Sequence, residues 1–182
     1  MDVLTMFLLA VLAGAFIALG AIFATVVTAG AAGALPIGVG KLLGGLVFCL
    51  GLILVIVGGA ELFTGNTLIV MAWAARKVSL DALLRNWSLV FLGNFVGALG
   101  TAGLVFFGKQ YTFGGGVVGQ NMLAIASGKL DYTFVQAVAL GILCNGLVCL
   151  AVWLTYSART TVDKILAIIF PISAFVAAGF EH

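Results

Sequence analysis

Apolar residues occur in five long runs along the chain, with short polar connections between them. A helix needs about 20 apolar residues to cross the hydrocarbon core of a membrane. The runs cover approximately residues 4–28, 42–75, 87–107, 134–156 and 165–182. We therefore predict an all-α integral membrane protein with a single transmembrane domain, residues 1–182.

The second run is too long for one straight crossing and is interrupted near residues 58–66. This stretch contains Gly58, Gly59, Glu61 and Thr64, which do not suit a helix that faces lipid. Irregular backbone within a membrane is tolerated only where protein buries it or where it lines a wet cavity. We therefore predict a broken helix, with one half on each side of the interruption.

Short matches between distant stretches indicate an internal repeat. Residues 59–61, Gly-Ala-Glu, resemble residues 179–181, Gly-Phe-Glu. We expect repeat 1 to cover about residues 1–108 and an incomplete, inverted repeat 2 to cover about residues 130–182. Inverted repeats with paired broken helices, here the second and fifth spans, predict a substrate site near the middle of the membrane.

The third run carries small residues at a regular spacing. Gly93 and Gly97 form a Gly-x-x-x-Gly pattern, and Gly100 and Gly103 follow. Small residues at this spacing let two membrane helices approach closely. The pattern predicts tight packing of this helix against a neighbour.

Composition supports the membrane assignment. Hydrophobic residues make up 64% of the chain and charged residues 8%, whereas a soluble domain carries roughly a quarter charged residues. The basic residues form no stripe, so we expect no nucleic-acid partner. The three cysteines lie inside apolar runs without Cys-x-x-Cys spacing, so neither a disulfide framework nor a metal site is expected.

The basic residues also predict an orientation. More of them flank two short links, between the second and third runs and between the fourth and fifth, than lie on the opposite side. The first group is Arg76, Lys77, Arg85, Arg159 and Lys164, and the second is Lys41, Lys109 and Lys129. By the positive-inside rule we expect the two links and the N-terminus to lie in the cytoplasm.

Polar groups inside a membrane are costly, so they are candidate functional residues. Glu61 and Glu181 lie at the two predicted breaks, where each carboxylate either accepts backbone N–H bonds or serves a nearby site. The single histidine, His182, could change charge near neutral pH. Asn145 either holds helices together or faces a pore, and Lys129 either extends to the interface or attracts an anion.

Five stretches of the chain, in order, resemble the formate/nitrite transporter family. The final stretch, with the Phe-Pro pair that precedes it, is most similar to the formate-channel branch. The stretches are residues 41–45, 59–66, 93–97, 143–151 and 179–182. The resemblance implies an aquaporin-like helical fold, a homopentamer in the cytoplasmic membrane, and one pore in each protomer.

The same resemblance implies roles for individual residues. Phe48, Leu52 and Phe175 correspond to an apolar constriction on the periplasmic side of the pore. Leu62 and Val148 correspond to a second constriction on the cytoplasmic side.

Polar positions of the family also have counterparts here. Thr64 corresponds to a threonine on the mobile loop of the broken helix, and His182 corresponds to the central pore histidine near it. Lys129, Asn145 and Glu181 correspond to a polar set on the periplasmic side. Family members usually continue beyond the histidine with a sixth span and begin with an amphipathic helix. We therefore expect a fragment that does not form a sealed channel by itself.

These features predict a channel or transporter for formate or a similar small monovalent weak-acid anion, possessing no cofactor and no enzymatic activity. Apolar constrictions would exclude bare ions, because removing their water is costly, and His182 could lend the anion a proton. Two alternatives stay open: a nitrite or hydrosulfide channel of the same family, and a membrane subunit that only anchors partners. A glycerol pore would normally carry Asn-Pro at both half-helices, and neither proline follows asparagine.

Overall fold

The computed structural model describes residues 1–181, so His182 lies outside the described residues. This part of the chain is helical, with eight α-helices and one short 3₁₀ segment, Gln110–Gly116. The α-helices are α1 Val3–Thr28, α2 Ile37–Gly58, α3 Phe63–Asn66, α4 Ile69–Ala74, α5 Leu80–Phe107, α6 Val117–Leu130, α7 Phe134–Thr155 and α8 Thr161–Ala178.

Five helices in the described range, α1, α2, α5, α7 and α8, are long and apolar enough to cross a membrane. Three of them differ from the predicted runs by several residues, and α2 begins at Ile37 rather than near residue 42. Helix α5 begins at Leu80 rather than near residue 87, because Ser79 caps it by accepting a hydrogen bond from the Ala82 N–H group. Helix α8 ends at Ala178, before the predicted end of the fifth run.

A helix that hydropathy did not predict, α6, lies between α5 and α7. It has 14 residues, which is too short to cross the hydrocarbon core. The half-buried Asn121 attaches it to α1 by donating hydrogen bonds to Thr25 O at 2.7 Å and Thr28 Oγ1 at 3.0 Å.

Glycine allows α1 and α5 to pack closely. A Cβ atom built at Gly97 would lie 1.9 Å from Val11 O, and one at Gly14 would lie 2.0 Å from Asn94 O. No side chain fits at such distances, so only glycine permits this approach. The close packing predicted from Gly93 and Gly97 is therefore confirmed.

The core lies where α2, α7 and α8 meet. Helices α2 and α8 approach closely, since a Cβ atom built at Gly45 would lie 2.8 Å from Ser173 O. The buried side chains between these helices are almost all apolar, among them Leu52, Val148, Ile168 and Ile172. The outer faces are apolar as well, and Phe107 is 82% exposed, as expected for a surface that faces lipid.

Candidate functional site

The predicted break in the second span is present between α2 and α3. Helix α2 ends where Gly59 adopts φ 69° and ψ 31°, a left-handed conformation that glycine adopts without strain. The Gly59 and Ala60 N–H groups then donate back to Val55 O, the latter at 3.0 Å. This hydrogen-bonded ending satisfies a terminal carbonyl of the helix and turns the chain out of the helical path.

The backbone of the break is held by α1 and α5. The Asn94 side chain accepts a hydrogen bond from Phe63 N at 2.8 Å and donates to Glu61 O at 2.9 Å and to Ala10 O at 2.7 Å. The Glu61 N–H group donates to Leu9 O at 3.3 Å. Unpaired backbone groups are costly inside a membrane, so these bonds allow irregular backbone at this depth.

The carboxylate of Glu61 faces amide side chains. It accepts a hydrogen bond from Asn66 Nδ2 at 2.6 Å, and the same Nδ2 donates to Asn86 Oδ1 at 3.0 Å. Trp87 Nε1 donates to Asn66 O at 3.0 Å. Of the two roles left open for Glu61, the described contacts show no backbone N–H group bonded to the carboxylate, and its partner is the Asn66 side-chain amide.

Helix α8 ends in the same way as α2. Gly179 adopts φ 74° and ψ 29°, and the Phe180 N–H group donates to Phe175 O at 3.0 Å. The acid that follows has a different partner, since Glu181 forms an ion pair with Lys129 at the end of α6. The two side chains are 23% and 46% exposed, respectively.

The five residues predicted to form apolar constrictions lie in one hydrophobic cluster. Leu52, Leu62, Val148 and Phe175 are buried, and Phe48 packs against them. The Phe48 and Phe175 rings meet edge to face, with centroids 5.8 Å apart and planes at 84°. The broken helix, α7 and α8 thus place these side chains side by side.

A second polar group lies where α7 faces α3. Thr67 Oγ1 donates to Thr64 O at 2.7 Å, accepts from Asn145 Nδ2 at 3.1 Å, and lies 3.2 Å from Cys149 Sγ. Thr64 Oγ1 and Asn145 Oδ1 are buried and have no hydrogen-bond partner among the described residues. Both oxygens can accept a hydrogen bond, so this group contains two unused acceptors.

The predicted polar set is therefore divided between two places. Lys129 and Glu181 contact each other, while Asn145 bonds to Thr67 of the broken helix. The proposed neighbour of Thr64, His182, lies outside the described residues.

Comparisons with known proteins agree with this geometry. Residues 1–182 match the family model described as "Formate/nitrite transporter". The chain is 46% identical over 176 residues to "Formate channel FocA" of Haemophilus influenzae strain Rd. It is also 46% identical over 176 residues to the protein of the same name from Escherichia coli K12. The chain belongs to the formate/nitrite transporter family.

The matches cover nearly all of this chain and a smaller share of its relatives. They include 97% of the chain but only 62% and 61% of the Haemophilus and Escherichia proteins, so the chain spans about three fifths of their length. A solved structure titled "Pentameric formate channel with formate bound" is 49% identical, with a TM-score of 0.93, over 99% of this chain and 70% of that one. The predicted fold class, an all-α membrane protein of aquaporin-like architecture, is confirmed.

The sequence-based prediction missed three polar residues near the break. Asn94 and Cys149 lie in stretches that carry the family resemblance, but neither was given a role of its own. Thr67 was not singled out. One signal was present, since an amide at mid-span, such as Asn94, needs a partner inside the membrane.

Proposed function

We propose that the chain is part of a membrane channel for formate or a similar small monovalent weak-acid anion. The observation that carries the proposal is its 46% identity to two proteins named formate channels, over 97% of the chain. The likeness to a formate-bound channel structure supports the same substrate. Transport, rather than an enzymatic reaction, is the activity that these relatives suggest.

The apolar cluster supplies selectivity in this proposal. Leu62 and Val148 form one constriction, and Phe48, Leu52 and Phe175 form the other. Removing water from a bare ion costs on the order of 20 kcal/mol in the idealised limit, so apolar constrictions exclude small inorganic ions. A weak acid that is protonated, or that shares a proton, crosses them at much lower cost.

The polar groups on either side of the cluster supply attraction and protons. Lys129 draws the anion toward the pore, and its pairing with Glu181 moderates the positive charge. Thr64 and Asn145 offer hydrogen-bonding groups beside the cluster. We assign the role of proton donor to His182, because it corresponds to the family's central pore histidine.

The assembly and its orientation belong to the same proposal. The similar solved structure is titled a pentamer, and we extend that state to this chain, with one pore in each protomer. The excess of basic residues on two links favours an N-terminus in the cytoplasm and a location in the cytoplasmic membrane. The matching ends of α2 and α8 support two repeats, residues 1–108 and 130–182.

A nitrite channel is the second candidate. The description of the matching family names both formate and nitrite, and nitrite is a small monovalent anion with the same charge. An apolar constriction followed by a proton donor would serve either substrate.

Formate flux into proteoliposomes that contain the full natural chain tests the proposal. We expect flux that rises from neutral to acidic pH, competition by nitrite, and exclusion of glycerol. The His182→Gln variant is expected to lose the pH dependence. Glycerol permeation without anion flux would contradict the anion mechanism and leave only a general pore.

A further inference from the structure

We propose that Asn94 is the positioning residue that holds Leu62 in the narrow part of the pore and so sets which anions pass. The inference deepens the proposed function and rests on it. Asn94 lies at mid-helix in α5, and its amide reaches the two peptide units on either side of Leu62.

The hydrogen bonds of Asn94 occupy both the oxygen and the NH₂ group of its amide. Oδ1 accepts from the N–H group of Phe63, which follows Leu62, and Nδ2 donates to the carbonyl of Glu61, which precedes it. The second hydrogen of Nδ2 goes to Ala10 O on α1. A flipped amide would direct its oxygen at two carbonyls and its NH₂ group at an N–H donor. The three partners therefore permit one orientation only.

Leu62 is the residue between the two anchored peptide units. Its side chain is 6% exposed and packs in the same cluster as Val148. The chain here is extended, with φ −106° and ψ 125° at Leu62, and the Leu62 carbonyl accepts a hydrogen bond from the Asn66 N–H group at 2.8 Å. The bonds to Asn94 hold the peptide units on both sides of Leu62 from the α5 side, in addition to that backbone bond.

Among the described residues, no other side chain bonds to the backbone of residues 61–63. Glu61 donates its N–H group to Leu9 O at 3.3 Å, which is a longer bond than the three made by Asn94. Replacing the amide would remove the side-chain hydrogen bonds to both peptide units that flank Leu62, while the bond from Asn66 N–H to Leu62 O would remain. The expected result is a looser constriction rather than a closed pore.

The chain offers a matched control in Asn121. Its amide also joins a neighbouring helix to α1, by donating to Thr25 O and Thr28 Oγ1, but it has no contact with the break. A purely structural role in anchoring α1 predicts similar consequences for both asparagines. A positioning role predicts consequences for Asn94 alone.

The test compares Asn94→Asp, Asn94→Ser and Asn121→Asp in the full natural chain. Aspartate keeps the acceptor for Phe63 N but removes both donors, and serine provides a milder change if aspartate prevents folding. Amide hydrogen exchange over residues 60–66 should rise about tenfold in the Asn94 variants, the factor that corresponds to about 1.4 kcal/mol of lost protection. Exchange in Asn121→Asp should match the wild-type chain in this segment.

Selectivity is measured as the ratio of acetate flux to formate flux. With two constrictions in series, widening one leaves the other to limit the flux. The ratio is therefore measured in a Phe175→Ala background, and Leu62→Ala in that background is the reference. The Asn94 variants should raise the ratio in the same direction as Leu62→Ala, and Asn121→Asp should not. The inference would be overturned if the Asn94 variants left exchange at residues 60–66 unchanged. It would also be overturned if they left the acetate-to-formate ratio at the value of the Phe175→Ala background.

Two further outcomes separate the inference from the proposed function. If Leu62→Ala leaves the ratio unchanged, Leu62 does not limit the anion path and the inference fails even though formate still passes. If the wild-type chain passes no formate, the proposed function fails first. Faster amide hydrogen exchange at residues 60–66 in the Asn94 variants would then still support the part of the inference that Asn94 anchors the break. Unchanged exchange would overturn that part as well.

Discussion

The ends of α2 and α8 use the same backbone geometry in different surroundings. Gly59 and Gly179 differ by only a few degrees in φ and ψ, and each is followed two residues later by an acid. Glu61 lies in a network of neutral amides, whereas Glu181 pairs with Lys129. The backbone therefore supplies a common helix ending, and the partner of the acid determines what each end contributes.

The end of α2 is held mainly by packing and hydrogen bonds, whereas the end of α8 carries a charged pair. The first end is braced by α1 and α5 through glycine contacts and the Asn94 amide. The second end carries a charged pair that is partly exposed. We expect changes at the first end to affect folding and the width of the pore, and changes at the second to affect anion attraction.

The largest effect is expected from removing the brace of the first end. Gly97→Ala places a Cβ atom 1.9 Å from the backbone oxygen of Val11. The helices must move apart, with a cost of about 3 kcal/mol or more. Gly100→Ala is the control, because no atom lies within 4 Å of its Cβ position. Thermal unfolding in detergent should show a large loss for the first variant and almost none for the second.

Alanine at each helix ending tests whether the two ends are equivalent. Gly59→Ala and Gly179→Ala introduce a side chain at positive φ, with no described atom within 4 Å, so each should cost about 1–2 kcal/mol. Measured free energies of unfolding should be similar for the two variants. A large difference between them would show that the shared geometry is not the main cost. Gly141→Ala, at an open helical position, serves as the control.

Neutralising the charged pair tests the electrostatic difference. Two opposite unit charges close together in water attract each other by about 1 kcal/mol. Removing the charge in Lys129→Gln should therefore lower formate flux about fivefold at low ionic strength. Glu181→Gln leaves Lys129 unpaired and should not lower the flux. Lys41→Gln controls for general loss of positive charge. Equal flux in the Lys129 and Lys41 variants would contradict a specific role for Lys129.

The smallest effect is expected from one hydrogen bond of the amide network. Trp87→Phe keeps an aromatic ring but removes the donor to Asn66 O, at a cost of about 1 kcal/mol. Trp153→Phe is the control, since Trp153 is 53% exposed and lies outside this network. Chemical unfolding in detergent should detect the first change and not the second.

The sequence predicted the fold well where lipid imposes a simple rule. Long apolar runs identified all five spanning helices, and two glycines with an acid identified the break near Glu61. It missed α6, because this helix is short and its hydropathy is mixed. It also missed the start of α5, where Asp81 and Arg85 lower the apolar content of the first turns.

The site was less predictable than the fold. The apolar cluster around Leu62 and Phe175 followed from the family resemblance, and the structure places these residues together. The partner of Glu61 could not be predicted, because Asn66 reaches it only through the irregular path of the break. The role of Asn94 depends on three contacts from two separate helices and a loop, which no local pattern reveals.

The central question is whether the buried apolar cluster limits anion passage. The measurement is the ratio of acetate flux to formate flux in a Leu62→Ala, Phe175→Ala double variant. The control is a Leu104→Ala, Phe170→Ala double variant, which changes side chains that are 75% and 80% exposed. If the cluster limits passage, the ratio is about tenfold higher in the first variant, equivalent to a barrier lower by about 1.4 kcal/mol, and the second variant keeps the wild-type ratio. Equal ratios in the two double variants would contradict this prediction.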